Sequence, residues 1–266
     1  MENVKKRAGS GKDAKNIFKA ITAPVRDFMQ KGLINRLFSH DFKPISLGGW
    51  CGPTGAIRAA SLDLRAYPFD YIRTTFEGVC KCLAYDFKDF FPEKPWVSET
   101  IKGCNVYRGR YTSFWYHDII KPETTDAFER RIERFTDLLR KTKKTVVFTR
   151  VVVDIDPLKE FSQIEVFNKI ISEKFPNLKY KFVFIIHGQE IGTVQIKSIN
   201  DATAVWCINR SQVDREMDIT DYQEGYKKVI DFVIKRNNWP PKPDTIVTDI
   251  KKGNDLWLVD GIPMVK

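Results

Sequence analysis

No uninterrupted apolar run in the chain exceeds five residues, the length of Phe182 to Ile186. A helix that crosses a bilayer needs roughly 20, so no such span is expected. The N-terminus is basic and polar, with no apolar stretch behind it, and a secretory signal is not expected either. Both absences point to a soluble chain in the cytoplasm. Histidine is scarce, with three in 266 residues, and cysteine is little used, with five. An odd number of cysteines in a cytoplasmic chain argues for free thiols rather than a disulfide framework. Cys80 and Cys82 lack zinc-knuckle spacing and have no second pair, so no metal site is expected, and nothing in the sequence calls for a cofactor. Neither a GxGxxG nor a Walker pattern occurs. Gly and Pro total only 28, too few for a low-complexity or collagen-like chain.

What the chain has is an ordinary globular core and an excess of positive charge. Apolar residues make up 42% and charged residues 29%, with 44 Lys and Arg against 34 Asp and Glu, a net +10. Such a surface favours acidic partners: an acidic small-molecule ligand, or nucleic acid bound without sequence preference. Arg130, Arg131, Arg134 and Arg140 are interleaved with Glu129, Glu133 and Asp137, which reads as a solvated helix face with i,i+4 pairs.

Residues 1–15 read as a flexible basic tail, and 16–266 as a single α/β domain. A broken helical period runs over 16–38. Strands are expected at 44–47, 145–153, 179–187, 192–199 and 202–208, the last two joined by Asn200-Asp201. Helices are expected over 51–62, 73–87, 123–141, 157–175 and 221–237, with short strands at 245–249 and 256–259 in the tail. The alternation from 144 to 208 is that of parallel βαβ units. The architecture this implies is a central, mostly parallel sheet flanked by helices. Residues 88–121, rich in aromatics, Gly and Pro, read as an irregular but ordered excursion over the strand ends.

The most informative stretch is Ile45-Ser46-Leu47-Gly48-Gly49-Trp50-Cys51-Gly52-Pro53. A strand delivers a tight glycine turn and then a cysteine at a helix N-terminus, where orphan N–H groups carry partial positive charge. That setting favours a thiolate nucleophile and offers an oxyanion hole. Two other readings stand beside it. Cys51 is a small buried residue at a close contact, or the Gly48-Gly49 turn cradles an anion, with Arg150 at a strand end binding a second one.

Ser46-Leu47-Gly48 with Cys51, then Pro68-Phe69-Asp70-Tyr71, then His117-Asp118, then Arg130-Arg131-Ile132-Glu133-Arg134-Phe135 and Val147-Phe148-Thr149-Arg150, together resemble the signature of a family described as papain-like cysteine peptidases, with members in bacteria and large DNA viruses. The resemblance spans about residues 43–210. Tyr71 stands where the family usually has Trp. The resemblance implies a peptidase or amide hydrolase acting on a protein or peptide substrate. It implies Cys51 as nucleophile and His117 as base, in the host cytoplasm if the source is viral. His187, at the end of a buried strand, is the other candidate base. Asp118, Asp70 and Asn209 are candidates to orient the imidazole. Asp70 also reads as the cap of the helix beginning near Thr74. A papain-like fold implies an antiparallel α+β arrangement, and that alternative stands against the parallel sheet read from the alternation.

Two further readings remain open. One is an α/β transferase or a nucleotide- or sugar-phosphate-binding protein that uses the Gly48-Gly49 turn as its anion site. The other is a non-catalytic viral or effector protein whose aromatic excursion, with Tyr107, Trp115 and Tyr116, binds a partner.

Overall fold

The computed structural model describes residues 42–49, 51–93, 97–101, 104–115, 117–152, 157–189, 194–200, 203–209, 219–230 and 246–247. Side-chain detail excludes 97–101, 104, 157, 187–189, 194–200, 207–209, 219–224 and 246–247. The expected tail at 1–15, the helical period at 16–38, the end of the 221–237 helix and the strand at 256–259 lie outside the described residues.

β1 (Phe42–Ser46), β6 (Thr145–Val151), β7 (Tyr180–Gln189) and β9 (Thr203–Asn209) lie side by side and run parallel. β8 (Val194–Asn200) pairs antiparallel with β9, and β10 (Ile246–Val247) runs parallel to β8. The described order is β1-β6-β7-β9-β8-β10. The described side chains of β6, β7 and β9 are buried on both faces, as parallel strands require. Alternation sorts them. Phe148, Phe182 and Phe184 face one layer, while Val147, Val183 and Ile185 face the other.

The first layer contains α2 (Phe76–Ala84), α3 (Pro122–Lys141) and α5 (Ile164–Lys174), which contribute Phe76, Phe135 and Phe167 to a phenylalanine-rich core. The second contains α1 (Gly52–Ala59) and α6 (Ile219–Ile230), packed through Ala56, Ile57, Tyr226 and Val229. The expected helix over 157–175 is two helices, α4 (Pro157–Phe161) and α5, separated by Ser162-Gln163. The fold is thus an α/β sheet flanked by helices.

The excursion departs from expectation. Three of its segments join β2 (Ile72–Arg73), which precedes it, in an antiparallel sheet of order β2-β5-β4-β3, with β3 (Val97–Ile101), β4 (Cys104–Arg108) and β5 (Ser113–Phe114). Two of these strands have only two residues, too short for a period-2 pattern to reveal. Trp115 follows β5 and is buried, its indole N–H donating to Ser113 Oγ at 3.0 Å. Among the described residues, no helix is long and apolar enough to cross a membrane.

Candidate active site

The motif pieces meet beyond the carboxyl end of β1. Gly48 has φ +74°, and a Cβ there would lie 2.9 Å from the Phe69 carbonyl oxygen. Only glycine adopts that backbone freely and permits that approach. The glycine of the strand-end turn is therefore pressed against the Pro68-Phe69-Asp70 turn. Gly52 opens α1 with its Cα against the Tyr226 ring, which a Cβ would overlap at 1.9 Å.

Asp70 ties the two segments together. Its Oδ1 accepts from Thr54 Oγ1 at 2.8 Å and its Oδ2 from the Tyr67 backbone N–H at 2.9 Å. It does not cap α2, contrary to the sequence expectation. Thr75 does, its hydroxyl accepting from Gly78 N at 3.0 Å. The chain turns back at Asp70 instead, and Tyr71 is held at φ +61°, a strained conformation for a bulky residue. Burial pushes the Asp70 carboxyl up, against the Tyr67 and Thr54 hydrogen bonds and the charges of Arg58 and Arg131.

α3 supplies the remaining framework. Arg134 donates to the Ala66 carbonyl at 2.6 Å, and the Phe135 ring packs edge-on to Tyr67 and Phe69. Arg150 is fully buried. It donates to Glu160 through Nε and Nη2 at 3.1 and 3.0 Å, to the Leu47 carbonyl through Nη1 at 2.9 Å, and to the Thr74 carbonyl through Nη2 at 2.6 Å. It clamps the start of the glycine turn to the segment before α2. Gly48 N likewise donates to Ser46 Oγ at 3.2 Å. Both candidate anion contacts, Arg150 and the Gly48 N–H, are thus engaged within the fold.

Cys51 occupies the N-cap position of α1 in helical conformation, with no side-chain cap bond, and is half-buried. Burial pushes its thiol up, while its own backbone N–H and the charge of Arg73 pull it down. Arg73, on β2, stacks on Trp115 with its guanidinium carbon 3.7 Å from the ring centroid, and Arg108 lies 5.8 Å from the same ring. The antiparallel sheet therefore brings one cation, Arg73, held on an indole, within electrostatic reach of the cysteine. Cys80 and Cys82 contrast with it: both are buried in the core, their thiols pushed up to about 12 by burial.

His117 packs edge-on to Phe128, with centroids 4.9 Å apart. Burial, with the charge of Arg131, lowers its pKa to about 4, so the imidazole is neutral at pH 7. Its Nε2 is buried without a hydrogen-bond partner, and no hydrogen bond joins it to Cys51. Asp118 faces elsewhere. Its Oδ1 accepts from Tyr107 Oη at 2.7 Å, and Lys121 Nζ lies 3.7 Å from Oδ2. The side chains of His187 and Asn209, and all of Tyr116 and Asn209's loop neighbours at 210–218, lie outside what is described. Sequence reading missed the roles of Arg58, Arg73 and Arg131. Of the three, only Arg131 lies in a segment that carries the resemblance, and the three are 15 to 73 residues apart in the chain.

Fold and site together define an α/β protein with one half-buried thiol where a parallel strand hands over to a helix. The family described as "Putative papain-like cysteine peptidase" matches residues 42–190, more than half of the 266, and the chain belongs to it. No curated protein and no solved structure matches the chain.

Proposed function

We propose that the protein is a cysteine-dependent amide hydrolase, with Cys51 as nucleophile and His117 as base. The observation that carries this reading is the contrast among the described thiols. Cys51 alone is half-buried, at a helix start beside Arg73, whereas Cys80 and Cys82 are sealed in the core. Attack of Cys51 Sγ on an amide carbonyl forms the C–S bond as the thiol proton passes to the imidazole. The C–N bond then breaks and the amine leaves with that proton. Water hydrolyses the thioester and restores the thiol. In the first turn of α1 the N–H groups of Gly52 and Thr54 have no acceptor within the helix, and Pro53 has none to offer. They are suited to a developing oxyanion.

Both groups rest neutral at pH 7. Burial raises the Cys51 thiol and lowers the His117 imidazole to about 4, so neither ionises unaided, and proton transfer between them waits on what the substrate brings. Labelling with iodoacetamide, read by peptide mass spectrometry of the native protein, tests the nucleophile. Cys51 is expected to label at least about 100-fold faster than Cys80 and Cys82, since only the accessible thiol reacts. Hydrolysis of an amide-linked peptide library should fall about 10³-fold or more in Cys51→Ser. Equal labelling of the three thiols, or unchanged hydrolysis in Cys51→Ser, overturns the reading.

A further inference from the structure

Among the described residues, Arg58 Nε, Arg131 Nη1 and His117 Nε2 are buried nitrogen atoms without a hydrogen-bond partner. Buried polar groups in folded proteins nearly always have one. These three belong to a single neighbourhood. Arg58, on α1, stacks over Tyr71 with its guanidinium carbon 5.1 Å from the ring centroid, and its Nη2 lies 3.9 Å from Asp70 Oδ2. Arg131, on α3, sits with its guanidinium carbon 4.4 Å from the Phe128 centroid, the same ring that His117 packs against. Its charge acts on Asp70, Arg58, Tyr71 and His117.

The balance of charge there is one-sided. Arg58 and Arg131 face one carboxylate, Asp70, whose two oxygens already accept from Thr54 and Tyr67, and Arg134 adds like charge beside Arg131. Arg134 has an acceptor for Nη1 in the Ala66 carbonyl. Arg58 and Arg131 each retain an unmet donor, and both side chains are partly solvent-accessible. Two half-buried guanidiniums, each with an unmet donor, beside aromatic faces and an imidazole, supply the kind of charged donor that carboxylate and phosphate oxygens pair with.

We infer that Arg58 and Arg131, bordered by His117, form an oxyanion subsite that takes a carboxylate or phosphate group. That the anion is part of the substrate rests on the hydrolase reading; the subsite itself does not. An anion there would offset the Arg131 charge that depresses His117, so occupancy would also make the imidazole a better proton acceptor.

Calorimetric titration of the full chain with inorganic phosphate and, separately, succinate tests this. Either anion should bind at one site. Arg58→Met and Arg131→Met should each weaken binding at least about tenfold, the scale of one charge-assisted contact. Arg131→Lys, which keeps the charge and guards against a folding defect, should retain part of it. Cys51→Ser should bind unchanged, so loss of its hydrolytic activity and loss of the subsite are separate outcomes. Tighter succinate binding assigns the subsite to a carboxylate and tighter phosphate binding to a phosphoester. The NMR-observed pKa of His117 should rise from about 4 on saturation. No binding of either anion, or binding unchanged in both Met variants, overturns the inference and leaves the three nitrogens hydrated by water only.

Discussion

Arg150 and Arg131 both lie beside a phenylalanine, 5.9 Å from Phe76 and 4.4 Å from Phe128, yet they are accommodated in opposite ways. Arg150 is sealed from solvent, and each of its three nitrogens has an acceptor, two of them on Glu160. Arg131 is half-buried, has one nitrogen without an acceptor, and its neighbours Arg58 and Arg134 carry like charge. The difference separates a cation that holds the fold from a cation that the fold holds ready. A closed region should respond to mutation through stability, and an open one through ligand binding.

The largest effect is expected in the closed region. Glu160→Gln leaves the Arg150 charge buried without its counterion and should lower unfolding free energy by about 3–5 kcal/mol in urea titration. Replacing both partners by Met removes the uncompensated charge, and that double variant should recover most of the loss. If Glu160→Gln is nearly neutral, Arg150 is not the closed cation described.

Acid should separate a second closed cluster from the open one. Asp63 accepts from Arg65 and from Tyr67 Oη, at 3.1 and 2.7 Å, and is paired with Lys43. Burial raises its carboxyl, but the Arg65, Lys43 and Tyr67 hydrogen bonds outweigh burial and hold it near 2. A depressed acid stabilises the fold above its unfolded pKa near 3.9, and that contribution, about 2 kcal/mol, is lost as pH falls toward 2. His117 titrates in a different window. Its folded pKa is about 4 against about 6.5 unfolded, so the unfolded chain binds the extra proton and stability declines as pH falls from about 6.5 to about 4. Unfolding free energy measured against pH should therefore show two steps. His117→Gln should delete the upper one and Asp63→Asn the lower one. A single step that survives in both variants would contradict both environments.

The comparison also marks what the sequence could reveal. Strands β6, β7 and β9 were legible because parallel strands buried on both faces must be apolar throughout. The parallel pairing of β6 with β7 followed from the helical stretch between them, whereas β7 and β9 are separated by β8 alone, and their parallel pairing had no such signal. The contact between Gly48 and Phe69 was foreshadowed by two motifs of unusual residues. Arg150 was misleading: at a strand end it read as an anion ligand, and its true partner Glu160 lies on an expected helical stretch whose packing against Arg150 no local pattern gives. The antiparallel sheet was hidden because its pairs Ile72↔Phe114 and Tyr107↔Phe114 are made by segments of two to five residues. The Arg58–Asp70–Arg131 neighbourhood was equally hidden. Its members lie on α1, a turn and α3, and only the folded chain around β1 brings them together.

The smallest expected effect is the one that most sharpens the contrast. Arg131→Met keeps an unbranched side chain against Phe128 and removes a charge that sits among like charges with one donor unmet. Deleting such a group relieves desolvation and repulsion, and these offset the lost attraction to Asp70 and the lost ring contact. The net change in unfolding free energy should stay within about 1 kcal/mol of wild type in anion-free buffer, several-fold less than for Glu160→Gln. Added phosphate should then stabilise the wild type but not the variant, because only a native state that binds the anion gains from mass action. Urea titrations with and without phosphate decide it. A loss of 3 kcal/mol or more in anion-free buffer would place Arg131 with Arg150 among the cations that hold the fold.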